Sequence, residues 1–293
     1  MLDNFSDLAP VLELLDWRII LYLTLSLVIL LIAKLVNQAL SGYKLNEQIT
    51  HIDNKAIALS FAGFVLAVGI ILSGVLNSPS STDTTTLVAD LTNTAIWGAI
   101  GCAMLLLSRW FNDKCVLPQF STKRELVTDK NVGVGAVQAA VYLTTALIIR
   151  ASIAGEDIYT LPVEIGLSFL WFAISQTLIF AFSKLYSSFI DKTLHSQLEQ
   201  DNAATGVAFG GALFSYGLLI SFYITRFDGI LGLLIWALVS AILLCITRLV
   251  VDKMLLPSCH LNKEIADDSN WGAALIEVAT SVGAALIITG SFS

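Results

Sequence analysis

The chain has 293 residues and a net charge of −7, and its composition is 56% hydrophobic and only 13% charged. A soluble globular domain carries roughly 25% charged residues, so this chain has too few polar side chains to cover a surface that faces water. The composition therefore excludes soluble, disordered and collagen-like proteins and indicates an all-α integral membrane protein with several transmembrane helices.

Eight apolar stretches are long enough to cross a bilayer, which takes about 20 mostly apolar residues per helix. They are continuous, whereas the strands of a membrane barrel alternate between polar and apolar residues. The third stretch is short, and its helix can begin nearer Leu87. The predicted transmembrane helices are Trp17–Val36, Ala56–Leu76, Ala95–Phe111, Val132–Ile153, Val163–Leu185, Ala203–Ile224, Ile230–Val251 and Trp271–Ile288.

Residues 1–16 precede the first helix and form a separate N-terminal segment. They include four acidic residues but no lysine or arginine, so they lack the basic start of a secretory signal. Two structures fit this segment equally well. Its apolar residues, among them Phe5, Leu8 and Val11, could form a short helix at the outer interface, or the segment could be a disordered tail.

Basic residues are divided very unevenly between the two sides of the predicted bundle. The odd-numbered connections between helices hold 13 lysines and arginines, and the opposite side holds only Arg18, Arg150 and Arg226. Lysine and arginine are retained on the cytoplasmic side of a membrane. The distribution therefore predicts that both termini lie outside the cytoplasm.

The outer side also carries most of the negative charge. Ten acidic residues lie there against three basic ones, whereas acids and bases nearly balance in the cytoplasmic loops. This charge argues against a nucleic-acid partner. It either concentrates cations at the outer face or simply reflects the scarcity of basic residues in translocated loops.

A short motif recurs just before each even-numbered helix. Asparagine is a strong N-cap because its side-chain oxygen accepts a hydrogen bond from the first turn, and an acid beside it suits the positive end of the helix dipole. The sequence therefore predicts four equivalent helix starts on the cytoplasmic side. The motifs are Asp53-Asn54, Asp129-Lys130-Asn131, Asp201-Asn202 and Asp268-Ser269-Asn270.

A longer internal match relates the two halves of the chain. Nine residues match at a constant spacing of 139, for example Trp97 with Trp236 and Arg109 with Arg248. The chain is predicted to contain two units of four helices, residues 17–155 and 163–293, and each unit consists of two hairpins. Since every repeat holds an even number of helices, the repeats enter the membrane in parallel, about an axis along the membrane normal.

The repeated asparagine helix starts and the duplicated hairpins resemble domain-of-unknown-function family 350, which includes the bacterial YjfL-like inner-membrane proteins. The resemblance covers nearly the whole chain as two tandem copies. It implies a bacterial inner (plasma) membrane location, and together with the distribution of basic residues this predicts that residues 1–16 and both termini lie in the periplasm. In this sequence the helix-start asparagines of the family are Asn54, Asn131, Asn202 and Asn270. The resemblance implies no established activity.

The residue seven positions after each cap asparagine is polar in the second and fourth copies, Gln138 and Glu277. Both lie about 10 Å, or two turns, inside the membrane. Glu277 is the only acid well inside a predicted helix, and such a residue is by default a functional hypothesis. Its expected partners are Gln138, the asparagine cluster or a backbone carbonyl. A structural hydrogen bond between repeats is the alternative role.

Small residues four and eight positions after each cap, such as Gly135 and Ala139, predict that the even helices pack closely at the centre of the bundle. The alternative is a narrow pore lined by the four helices. Arg109 and Arg248 lie at the cytoplasmic ends of helices 3 and 7, where we interpret them as membrane anchors that snorkel to the interface.

The sequence shows no catalytic motif, no cofactor-binding motif and no paired-cysteine metal spacing. We therefore expect a non-enzymatic protein without a cofactor or metal. Two functions stay open. The first is an ion or small-solute transporter that uses the central repeat interface, with Glu277 and Gln138 near its path. The second is an envelope scaffold whose basic loops, with Lys123, Arg124 and Lys263, dock a peripheral cytoplasmic protein. A homo-oligomer is compatible with either function.

Overall fold

The computed structural model of the protein describes residues 17–77, 87–117, 121–153, 159–190, 192–257 and 260–292. Those residues form an all-helical structure with eight helices long and apolar enough to cross a membrane. The predicted N-terminal segment, residues 1–16, lies outside the described residues. We label the long helices in chain order: α1 Arg18–Ser41, α2 Lys55–Asn77, α3 Leu87–Cys115, α4 Val132–Ile153, α5 Leu161–Leu185, α6 Ala203–Arg226, α7 Ile230–Val250 and α8 Trp271–Gly290.

The third helix starts at Leu87, the earlier of its two predicted starts, and it is the longest of the eight. Its first turns are polar, which is why the continuous apolar stretch begins only at Ala95. The threonine hydroxyls in these turns donate hydrogen bonds to backbone carbonyls of the same helix. The hydroxyl of Thr92 donates to the carbonyl of Val88 at 2.7 Å, and the hydroxyl of Thr94 donates to the carbonyl of Asp90 at 2.9 Å. Polar residues of this kind are compatible with a membrane helix because their hydrogen bonds are made internally.

Short helical segments connect the odd helices to the even ones. The segments Glu47–His51, Thr122–Val127, Leu194–Glu199 and Lys263–Asp267 each end shortly before one of the four asparagines. We call the side of the bundle that carries these segments the cap side, and the opposite side the terminal side. All four even helices begin on the cap side.

The even helices pack side by side in the order α2, α4, α6, α8, and the odd helices cover this row. Helix α4 is the most buried of the eight and α6 follows it, so these two helices form the centre of the protein. Helix α8 lies at one end of the row and α2 at the other. The expectation that all four even helices lie at the centre of the bundle is therefore wrong for α8, of which only a minority is buried.

Small residues allow the backbones of neighbouring even helices to touch. A Cβ placed on Gly63 of α2 would lie 2.5 Å from Cα of Ala139 on α4, and one placed on Gly206 of α6 would collide with the backbone of Gly133 on α4. Only glycine permits such an approach. The small residues therefore serve close packing between helices at these positions, as in other membrane helix pairs.

Candidate functional site

Each of the four asparagines caps the helix that follows it. The side-chain oxygens of Asn54, Asn131, Asn202 and Asn270 accept from the backbone amide three residues later, at 3.2, 2.9, 3.1 and 3.1 Å respectively. Each bond satisfies one of the amides that a helix start leaves without a partner.

The residue before each asparagine has a left-handed backbone, which sequence reasoning missed. These four residues are the only non-glycine residues with positive φ in the described part of the chain. The conformation turns the chain sharply from the short segment into the even helix. Aspartate tolerates it better than most residues, which explains two of the four identities. The φ angles are 52° at Asp53, 54° at Lys130, 59° at Asp201 and 50° at Ser269.

The asparagine side chains also connect each hairpin to the next one. The amide of Asn54 donates to the carbonyl of Leu126 at 2.8 Å, and that of Asn131 donates to the carbonyl of Leu198 at 2.5 Å. In the same way, Asn202 donates to the carbonyl of Ile265 at 2.9 Å. Each acceptor lies in or just after the short segment of the following hairpin. The cap asparagines therefore join successive hairpins as well as starting their own helices.

Near the cap side, Glu277 of α8 forms an ion pair with Arg248 of α7. The Glu277 side chain is 3% exposed and that of Arg248 is 13% exposed. The guanidinium also donates to the hydroxyl of Tyr186 at 3.0 Å and to the side-chain oxygen of Asn262 at 2.5 Å. The second carboxylate oxygen of Glu277 is buried without a hydrogen-bond partner among the described residues.

This pairing corrects two expectations. Glu277 contacts Arg248 rather than Gln138, the asparagine cluster or a carbonyl, and Arg248 turns inward rather than snorkelling to the interface. Both residues lie near the cap side of adjacent antiparallel helices, so they share one depth in the membrane. Their depths could have been read from the sequence. Their shared orientation could not, because hydropathy does not give the rotation of a helix about its axis.

A cavity of about 790 Å³ on the cap side reaches Arg248. Charged side chains line it, and the lysines and arginine outnumber the aspartates. Arg248 therefore lies between an accessible polar space and the buried carboxylate of Glu277. The charged lining residues are Lys192, Arg248, Lys263, Asp252 and Asp267, and His260 lies beside them.

The corresponding region of the first half has no carboxylate at the position of Glu277. Gln138 of α4 accepts from the hydroxyl of Ser60 on α2, and the carboxyl group of Asp113 on α3 lies close to both Gln138 and Arg109. Arg109 of α3 donates to the side chains of Asn37 at 2.5 Å and Ser41 at 2.6 Å, both on α1. Gln138 and Glu277 therefore belong to two separate sites, and among the described residues only the second site has a buried acid and an arginine in a direct ion pair.

The family described as Domain of Unknown Function (DUF350) matches the chain twice, over residues 7–153 and 160–292. These matches confirm the family resemblance and its two tandem copies. The chain is also similar to a UPF0719 transmembrane protein of Aquifex aeolicus (strain VF5), with 23% identity over 252 residues, which cover 83% of this chain and 88% of the relative. No solved structure matches the chain significantly.

Proposed function

The chain belongs to the DUF350 family and is a multi-pass membrane protein, and we propose that it is a non-enzymatic ion transporter whose working site is the Arg248–Glu277 pair. One observation carries this proposal. A carboxylate and a guanidinium meet within the membrane-spanning helices, and the guanidinium also lines a cavity on the cap side. Ionisable groups inside membrane helices are costly, and they characteristically mark ion and proton pathways.

Glu277 is the group that takes up and releases a proton in this proposal. Its ionised carboxylate binds Arg248 through a charge-assisted hydrogen bond, and this attraction falls when the carboxylate is protonated. Arg248 then presents an uncompensated positive charge to the cavity, where it can bind an anion. Proton binding at Glu277 and anion binding at Arg248 favour each other for this reason, so the two ions are coupled.

The cavity favours a small anion as the transported ion. Lys192 and Lys263 join Arg248 in its lining, and guanidinium and ammonium groups bind carboxylate or phosphate oxygens. On the terminal side, a second cavity of about 460 Å³ is lined by Arg150, Arg226 and Thr289 of α8. We place the path along the face of α8 that carries Glu277 and meets α7, between these two cavities, because the contacts between neighbouring even helices are closed by small-residue packing.

The proposal includes an orientation and a repeat architecture. The cap side faces the cytoplasm and both termini lie in the periplasm of a bacterial inner membrane. Thirteen lysines and arginines on the cap side, against three on the terminal side, support this orientation. The cap asparagines, with their similar hydrogen bonds, support four hairpin repeats in two parallel halves, residues 17–155 and 163–293.

The alternative function, an envelope scaffold, stays a prediction. Its strongest support is Arg124, whose side chain is 73% exposed on the cap side although it pairs with Asp129 at 3.4 Å. Lys123 donates to the carbonyl of Gly42 at 3.2 Å and is also exposed. In this case a pull-down with the wild-type chain should recover a cytoplasmic protein, and neutralising Lys123, Arg124 and Lys263 together should abolish its binding.

Proton and anion flux in proteoliposomes tests the transport proposal. Vesicles that enclose a pH-sensitive dye receive an inward gradient of chloride or inorganic phosphate, and internal pH is followed. We expect wild-type protein to acidify the lumen and Glu277→Gln to lose at least nine-tenths of the rate. Glu164→Gln makes the same chemical change outside the site, near the N-terminus of α5, and should keep the wild-type rate.

A double variant separates a transport role from a structural one. Arg248→Gln/Glu277→Gln removes both charges, so it leaves no buried charge unpaired and should fold better than either single variant. We expect it to stay inactive. Wild-type flux from this variant, or from Glu277→Gln, would contradict the proposal, and so would wild-type protein that moves protons with neither anion.

A further inference from the structure

Neighbouring even helices meet in one register that recurs along the whole row. The residue nine positions after the cap asparagine of one helix contacts the residue eight positions after the cap of the next. A Cβ on Gly210, for example, would lie 2.9 Å from the Cβ of Ala140. The three contacts of this kind are Gly63 with Ala139, Ala140 with Gly210, and Gly211 with Val278.

The same helices also contact each other at two further levels, one nearer to the cap asparagines and one farther from them. Close to the caps, the residue two positions after one asparagine meets the residue four positions after the next, as in Ala56 with Gly135 and Gly133 with Gly206. Deeper in the membrane, a Cβ on Gly217 of α6 would lie 2.5 Å from the Cγ2 of Thr144 on α4. These are positions 15 and 13 after their respective caps.

The interface has two different faces, because each level pairs unlike positions. One face carries positions 2, 9 and 13 after the cap, and the other carries positions 4, 8 and 15. The asparagine amide that bonds the next hairpin belongs to the first face. We call these the leading face and the receiving face. In the row, α2, α4 and α6 each use their leading face against the receiving face of the next even helix.

The leading face of α8 has no such partner among the described residues. Gly272 and Ala279 are exposed, and a Cβ on Gly283 would meet no described atom within 4 Å. Its cap asparagine is exposed too. Asn270 donates to Glu264 at 2.7 Å, but among the described residues it makes no counterpart of the bond that Asn54, Asn131 and Asn202 make to a following hairpin.

The receiving face of α2 is open in the same way at the other end of the row. Ala58 is half-buried and Ala62 is exposed. A Cβ on Gly69 would meet no described atom within 4 Å. The two ends of the row therefore carry the two unlike halves of one interface, with small residues at all three levels of each half.

We propose that a second copy of the chain continues the row, with the leading face of α8 in one copy packed on the receiving face of α2 in the other. The contact continues an interface that the chain builds three times internally, and its register is fixed by the same positions. Asn270 would donate to the second copy near Ile49, the position that corresponds to Leu126 and Ile265 in their hairpins. A head-to-tail contact of this kind either closes into a ring or extends further. The proposal is independent of the transport function.

Three glycines that have open space around them provide a matched test. Leucine replaces Gly69, Gly283 or Gly166 one at a time; Gly166 lies on α5, outside both faces, and its Cβ would also meet nothing within 4 Å. Since a Cβ at each of these three positions has open space within one chain, each variant should fold. We expect wild-type protein and Gly166→Leu to be oligomeric in native lipid nanodiscs, and we expect Gly69→Leu and Gly283→Leu to be monomeric, as measured by particle mass.

Disulfide crosslinking tests the register. Two differently tagged copies are expressed together, one with Ala62→Cys and one with Ala279→Cys, in a background without the native cysteines. We expect a crosslink between unlike copies and at least ten-fold less between two Ala62→Cys copies or between Ala62→Cys and Leu238→Cys. Wild-type protein that is monomeric in native lipid, or a Gly283→Leu variant that keeps the oligomer, overturns the proposal. A crosslink that favours identical positions also overturns it.

Discussion

The carboxylate of Glu277 on α8 accepts a hydrogen bond from the guanidinium of Arg248 on α7, and both side chains are largely withdrawn from solvent. The pair connects the edge helix of the row to one of the helices that cover it. A buried ion pair contributes little net stability compared with apolar residues, but breaking it leaves a charge without compensation. Replacing one of the two residues should therefore lower the free energy of unfolding more than replacing both together.

We predict that Glu277→Gln and Arg248→Gln each lower the free energy of unfolding by about 3 kcal/mol, because each leaves one buried charge unpaired. The double variant should lose less than either single variant. Unfolding in increasing sodium dodecyl sulfate, followed by circular dichroism, measures the three differences. Strictly additive losses in the double variant would show that the two side chains do not interact.

The cap asparagines should differ in their contribution to stability according to their place in the row. Asn131 is fully buried and bonds Leu198 of the next hairpin, whereas Asn270 is exposed and makes no such bond. Replacing either with alanine removes a cap, which costs about 1 kcal/mol. Asn131→Ala also leaves the Leu198 carbonyl without this bond, for a further cost of about 1–3 kcal/mol. Equal losses in the two variants, measured by the same unfolding assay, would contradict this account.

The left-handed residue at position 130 predicts a stabilising substitution. Lys130 has a φ of 54°, a conformation that costs a non-glycine residue about 1 kcal/mol relative to glycine. Lys130→Gly should therefore raise the melting temperature in mild detergent. Lys55→Gly is the matched control, because Lys55 lies in the first turn of α2, where glycine is a poor helix former. A fall in melting temperature for Lys130→Gly would contradict the prediction.

The helices were predictable because a membrane helix must bring its own apolar surface and satisfy its own backbone. These requirements leave a continuous apolar stretch in the sequence. The cap asparagines add a second local signal, which marks the start of the even helices: Asn54, Asn131, Asn202 and Asn270. For α3 the sequence left two starts open, Ala95 and Leu87, since Thr92 and Thr94 lower the hydropathy of its first turns without interrupting its hydrogen bonds; the structure has the earlier start.

The candidate site was only half predictable. Glu277 was identifiable because an acid inside an apolar helix is rare and costly. Arg248 was not recognised as its partner, because apolar residues surround α7 on most sides and so do not reveal which face of the helix meets α8. The left-handed residues at Asp53 and Asp201 carried a weak signal, but Lys130 carried none, since lysine has no local preference for that backbone.

Site-directed labelling should resolve the orientation of the chain. A single cysteine at Lys263, on the cap side, should react with a membrane-impermeant maleimide only in inverted vesicles. A single cysteine at Phe227, between α6 and α7 on the terminal side, should react in intact spheroplasts. The native cysteines are replaced by alanine in both chains. The physical reason is the excess of lysine and arginine in the cap-side connections, which resist translocation. Labelling of Lys263→Cys from outside intact spheroplasts would reverse the orientation, and Arg248 would then face the periplasm.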